Sequence, residues 1–158
     1  MTDTNDMLID RAQLLELLAR YTDMCDLKNW DDLPLTVFAD EVEWDFSSLG
    51  APAVLYARDE LVSRGRAAFA GWKATFHATT GHQVTIDGDH ATIHAKIRAE
   101  HWLPAEVAGE GPDCWLVVGF YDDEAIRTTN GWRLSKVKLT VTHNENQELR
   151  AIARQTAE

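Results

Sequence analysis

Cysteine is scarce in this chain, with two among 158 residues, Cys25 and Cys114. They form no CxxC pair, which removes the usual paired-cysteine chemistry. Both are expected as free thiols in a reducing compartment. Cys114, inside the apolar run CWLVV, is expected in the core. Positive charge is also in short supply, with 15 Lys+Arg against 26 Asp+Glu and a net charge of -11. Nucleic acids and anionic membranes both need basic surface, so neither is expected as a partner. No apolar run approaches the ~20 residues that span a bilayer. The opening MTDTNDMLID is polar and acidic and does not read as a secretion signal, which makes a cytoplasmic location the expectation. Gly-rich phosphate loops, a nucleophile elbow and metal-ligand spacings are missing too, so no cofactor and no metal are expected.

What is present suits one soluble domain. Hydrophobic residues make up 45% and charged residues 26%, and the length supports a real core. The expectation is a single domain over 1–158, with its core at about 8–142. An N-terminal tail would occupy 1–7 and a C-terminal tail or helix 146–158. There are six tryptophans, at positions 30, 44, 72, 102, 115 and 132. Large aromatics suit a walled apolar cavity as well as a plain core.

Periodicity sorts the chain into helices first and strands later. Leu14, Leu17, Leu18, Tyr21 and Cys25 share one helical face, predicting a helix from about Ile9 to Asp26. NWDDLPLTVF reads as a short second helix capped by Asn29, with Asp31 and Asp32 in its first turn. EVEWDF alternates like a half-buried strand. ARDELVSRGRAAFAGWKATF reads as a third helix starting near Arg58 or Asp59. From His82 the period becomes two. HQVTIDGDHATIHAKIRAEHWL predicts a hairpin, EVAGEGPD a loop, CWLVVGFYDDEAI a central strand and WRLSKVKLTVTH the last strand. The order predicts an α+β fold, a curved mixed or antiparallel sheet with helices on one side, forming a cone with a pocket.

The strand at His90–Trp102 carries the sharpest chemical signal. Its odd positions are Ala91, Ile93, Ala95, Ile97, Ala99 and His101, an apolar face turned to the core. A histidine on that face is a satisfied core residue or a pocket donor, and the small alanines beside it argue for space. His94 falls on the charged face and is expected in solvent, as is His143. His82 shares the parity of Val84 and Ile86. His77 has the opposite parity and points inward only if Gly81 makes a bulge.

Helix-first order, then RYTDMCDLKNWDDL…FADEVEWDF, then FHATTGHQVTIDGDHATIHAKIRAEH, resembles the SnoaL-like branch of the nuclear-transport-factor-2-like superfamily. Within it, the chain is most similar to the scytalone dehydratases, over roughly residues 8–142. The resemblance implies a cone-shaped α+β barrel. It places the dehydratases' Asp–His pair on Asp26 and His77 and their second histidine on His101. It therefore also implies a bulge near Gly81. The two tyrosines that hold the substrate carbonyl there are Cys25 and Phe46 here, so a scytalone-like substrate is not implied. Tyr21 and Tyr56 are candidates for a replacement hydroxyl.

The implied chemistry is a cofactor-independent dehydratase or isomerase. Asp26 orients His77, His77 removes a C–H proton beside a carbonyl, and His101 donates to the developing oxyanion or the leaving hydroxyl. The substrate would be a small, apolar, oxygenated ring compound such as a polyketide or steroid-like ketone. Trp44, Phe46, Phe76, Ile97 and Trp102 are expected to wall the pocket, and His82 to support the base. Asp23, Asp31 and Asp32 read as solvated charges. Two alternatives stand beside this reading: a non-catalytic binder of an apolar ligand, and a hydrolase or cyclase on the same frame. A sheet strand apolar on both faces, with Trp115 and Val117 on one and Leu116 and Val118 on the other, leaves one face for a partner, and the family resemblance implies a homodimer or homotrimer.

Overall fold

The computed structural model describes residues 4–156. Helix α1 (Thr4–Asp26) leads the chain and buries Leu14, Leu17, Leu18, Tyr21, Met24 and Cys25. It starts five residues before the Ile9 suggested by periodicity, inside the segment expected as a tail. The reason is plain: Met7, Leu8 and Ile9 are exposed, so no burial pattern marks that first stretch. The helix ends without a glycine. Lys28 takes the left-handed conformation at φ 53°. The Asn29 N–H then reaches the Met24 carbonyl at 3.0 Å, closing the helix end.

The expected second helix shrinks to α2 (Pro34–Val37), with proline in its first turn. The Asn29 side chain caps a turn instead, accepting the Asp32 N–H at 3.1 Å. Strand β1 (Phe38–Asp45) follows, then a 3-10 turn and a short strand, β2 (Val54–Ala57), that the alternation rule did not single out. Helix α3 (Arg58–Ala70) is shorter than expected. Its supposed last turn is the start of strand β3 (Ala74–Asp87). Strand β4 (His90–Trp102), a helical turn α4 (Ala105–Ala108), strands β5 (Cys114–Thr128) and β6 (Gly131–Glu145), and helix α5 (Leu149–Thr156) complete the order. The chain after the last strand is therefore helical, and the polar loop before β5 holds one helical turn.

The fold is α+β, as expected, and the sheet is mixed. Its strand order is β2-β1-β6-β5-β4-β3, with β1 parallel to β6 and every other neighbour antiparallel. The sheet is curved but not closed, so the expected barrel is an open one with β2 and β3 at its edges. Alternate residues of β4 and β5 make up one buried face: Ala91, Ile93, Ala95, Ile97, Ala99 and His101 on β4, and Trp115, Val117, Tyr121, Asp123 and Ala125 on β5. Cys114 falls on the other parity and is half-buried on the outer face, not in the core. Among the described residues no helix is long and apolar enough to cross a membrane.

A bulge in β3 decides which histidines enter the interior. Pairing with β4 runs Thr80↔Lys96 and then Gln83↔His94, so Gly81 and His82 together face one residue. Gly81 sits at φ 66°, a conformation that suits glycine. The extra residue swaps parity, so Thr75, His77 and Thr79 before it and His82, Val84 and Ile86 after it all lie on the more buried face.

Two buried acids mark the other end of the sheet. Asp10 on α1 accepts two bonds from Arg127 at 2.7 Å each and one from the Trp132 indole at 3.1 Å. The Arg127 bonds, opposed by burial and helped by Trp132, hold its carboxyl below the usual range. Asp123, 1% exposed, accepts the Lys138 N–H at 3.1 Å. Its second oxygen has no partner, and burial pushes this carboxyl well above the usual range.

Asp10→Ala should lower unfolding free energy by about 1–3 kcal/mol in denaturant titrations, with the part-exposed Arg127 left to Asp89 alone. That loss should be seen above the unfolded carboxylate pKa of about 3.9 and vanish as pH falls through the lower folded value. Asp123→Asn should behave oppositely. The unfolded chain gives up this proton more readily than the folded one, so the wild type loses stability as pH rises above about 4. The melting temperature of Asp123→Asn relative to wild type should therefore climb as pH rises above about 4. A pH-independent difference would contradict the raised carboxyl.

Candidate functional site

Asp26 occupies the last turn of α1, where a negative charge opposes the helix dipole. Three bonds from β3 hold it. Its Oδ1 accepts from Thr75 Oγ1 at 2.8 Å and faces His77 Nδ1 at 2.6 Å, and its Oδ2 accepts the His77 backbone N–H at 2.8 Å. Burial pushes the carboxyl up, but the bonds from His77 and Thr75 outweigh it and the net shift is downward. An ionised carboxylate accepts, so Nδ1 carries the hydrogen and the lone pair sits on Nε2. Nε2 makes no hydrogen bond among the described residues. The His77 side chain is only 7% exposed.

His101 stands against His77, ring centroids 5.1 Å apart at 84°. β4 parity puts it inside, and pairing sets it between Thr75 and Trp115. Trp115, Trp72 and Phe69 surround it at centroid distances of 4.4, 5.4 and 6.0 Å. Its Nδ1 is enclosed without a partner. Burial first, and the nearby His77 second, push its pKa down to about 3, so the ring is neutral at physiological pH. It can therefore donate one N–H but does not serve as a cation.

The other expected site residues divide. Tyr21, Trp44 and Phe46 form an aromatic wall: Trp44 stacks on Phe46 at 4.4 Å, and Tyr21 meets Trp44 at 6.2 Å and Tyr121 at 5.9 Å. The Tyr21 and Tyr121 hydroxyls share a hydrogen bond beneath this wall. Cys25 is buried beside Asp26; burial, reinforced by that charge, pushes its thiol far up, so it is an inert thiol. Ile97 is buried on the inner face. Phe76 is 53% exposed, on the parity opposite His77, so it cannot wall the site. Trp102 has the parity opposite His101 and faces away as well. His82 lies beyond the bulge, bonded to Thr79 Oγ1 at 3.0 Å, and does not support the base. Tyr56 lies on edge strand β2 under the Arg64 guanidinium, without contact to the pair. His143 and acids 23, 31 and 32 are exposed, as expected, whereas His94, expected in solvent, is half-exposed and pairs with Asp122. Among the described residues no three His, Cys, Asp or Glu side chains converge as a metal set.

Sequence reasoning missed Thr75, Phe69, Trp72 and Trp115 as site neighbours. Thr75 was within reach, being two residues before His77 on the same face. The aromatic three depend on how α3 meets the end of the sheet, which no local pattern encodes. Two cavities of about 330 and 230 Å³ lie along the N-terminal half of α1, lined by residues such as Asp10 and Arg127 or Met7 and Val84. Neither borders Asp26 or His77.

Residues 6–138 match the SnoaL-like domain family. The chain is a SnoaL-like protein. The crystal structure of the Kfla4162 protein from Kribbella flavida superposes with a TM-score of 0.91 at 55% identity, over 92% of this chain and 99% of that one. A candidate scytalone dehydratase from Novosphingobium aromaticivorans gives 0.75 at 18%, over 92% and 91%. A hexachlorocyclohexane dehydrochlorinase from Novosphingobium barchaimii gives 0.72 at 19%, over 90% and 93%. At these last two identities the likeness is one of fold.

The neutral state of His101 is open to test. Its ring resonances should stay fixed between about pH 5 and 8 in NMR titration, whereas the unfolded ring takes up a proton near 6.5. This site therefore lowers the stability of the SnoaL-like domain as pH falls below about 6.5. An inflection near neutrality would contradict the desolvated ring.

Proposed function

We propose that this protein is a cofactor-independent lyase or isomerase acting on a small, apolar, oxygenated ring compound, with His77 as general base. The observation that carries the reading is the 2.6 Å bond between Asp26 Oδ1 and His77 Nδ1, which leaves Nε2 as the basic nitrogen. Asp26 fixes the tautomer and stabilises the imidazolium that forms when His77 takes a proton. Nε2 removes a C–H proton next to a carbonyl. His101, being neutral, donates a hydrogen bond to the oxygen where charge gathers or to the departing hydroxyl. Both remote structural relatives named above carry elimination activities in their names, one of water and one of hydrogen chloride. That supports elimination over isomerisation as the first reaction to try.

The test uses a panel of cyclic hydroxy-ketones, read by product formation and by exchange of the substrate C–H for deuterium. His77→Ala should lower both by about 100- to 10,000-fold. Asp26→Asn should also lower them, since it swaps the acceptor that selects the tautomer for an amide. Ligand binding with no turnover, unchanged in both variants, would favour the binding-module reading instead.

We also infer a homo-oligomer joined through the outer sheet face, where Leu116, Val118 and Phe120 are half-buried in a single chain. Light scattering at micromolar concentration should give a dimer or trimer mass; a monomer mass would overturn this.

A further inference from the structure

Helix α5 closes over the His101 end of the sheet and brings a cation with it. Arg150 places its guanidinium 5.0 Å from the Trp115 ring centroid and is half-buried. It makes no ion pair and no side-chain hydrogen bond among the described residues. Among the described residues Arg11, Arg20, Arg133 and Arg154 likewise hold no carboxylate, but Arg150 alone of these lies over a tryptophan ring. Arg58, Arg64, Arg66, Arg98 and Arg127 each hold a carboxylate. Desolvation, and then the like charge of Arg154 one turn on, lower the Arg150 pKa, and no acid offsets them. A half-buried cation in that setting lacks its counter-charge.

The neighbours of Arg150 lack partners too. Trp115, 7% exposed, has an indole N–H with no acceptor. His101, 5% exposed, has its enclosed Nδ1 without a bond. Orphaned buried polar atoms are costly unless something fills them. The three groups lie in a row that ends at the base. Trp115 meets His101 at 4.4 Å and His101 meets His77 at 5.1 Å between ring centroids.

We propose that Trp115 and Arg150 form an anion subsite beside His101, and that the molecule handled at His77 carries a carboxylate. The inference rests on His77 being the base and adds the substrate's charge. One guanidinium and one indole N–H suit two carboxylate oxygens. The imidazole between them and His77 sets the spacing, about one ring, between the carboxylate and the carbon that loses its proton. A carboxylated ring compound fits that spacing, with its apolar body against Phe69 and Trp72.

The test uses the full chain and two probes of equal size, benzoate and benzyl alcohol, followed by tryptophan fluorescence. Benzoate should bind at least about tenfold tighter than the alcohol, as expected for charge-assisted bonds. Arg150→Gln should erase most of that preference, Arg150→Lys should keep part of it, and Trp115→Phe should weaken benzoate several-fold, all with melting curves near wild type. Should Arg150→Gln fail to fold, the comparison of the two probes on wild type still decides. Equal affinity for both probes, no benzoate binding at millimolar levels, or a preference untouched by Arg150→Gln would overturn the subsite. His77→Ala should retain benzoate affinity. If that variant leaves deuterium exchange unchanged while the benzoate pattern holds, the base assignment falls and the subsite stands.

Discussion

The carboxylate of Asp26 is the point at which helix, strand and chemistry meet. Its three bonds fasten the end of α1 to Thr75 and His77 on β3. Helix α1 lies across the concave face of the sheet and supplies much of the core, from Leu14 to Cys25. Where that helix ends decides how far it slides along the sheet. A negative charge in a last turn is a poor choice for a helix alone. Only the β3 donors make it tolerable, so helix placement and histidine orientation are one problem with one solution. The same bonds that fix the backbone of His77 also fix its ring, which is what a base on a rigid frame requires.

The opposite end of α1 is tied by a second acid with a different solution. Asp10 meets a guanidinium and an indole, and Asp123, its carboxyl pushed up by burial, meets only the Lys138 backbone N–H. Between the two ends runs an aromatic and hydroxyl-bearing middle, where Tyr21 and Tyr121 join beneath Trp44 and Phe46. The interior is thus graded from ion-paired, through aromatic, to basic.

Much of this was legible because β4 alternates so cleanly. Its odd residues named the inner face, and His101 with it, before any coordinates. Gly81 was readable as a bulge because glycine weakens a strand and is kept there for a reason. Once His77 was turned inward, parity also required Phe76 to turn outward, so those two expectations were never compatible. Trp102 fails for the same reason against His101. Other features left no local trace. β2 is four residues on an edge, too short for alternation to register. The first turns of α1 carry no buried residues, so periodicity has nothing to count there. The setting of Trp115, Trp72 and Arg150 comes from three elements far apart in sequence, and Gly71 shows how tight their meeting is. A Cβ at that position would fall 1.7 Å from the Ala153 carbonyl oxygen.

The single extra residue at Gly81 also changes what counts as a small mutation in this strand. Substitutions along β3 alter one side chain at a time. Loss of one residue at the bulge would restore an unbroken pleat and turn everything on one side of it over. With the hairpin turn holding Val84 and Ile86 in place, His77 would face solvent and Phe76 the interior, while composition barely changed. In the drift of such sequences, insertions and deletions at this position are therefore the events that would create or erase the acid–base pair.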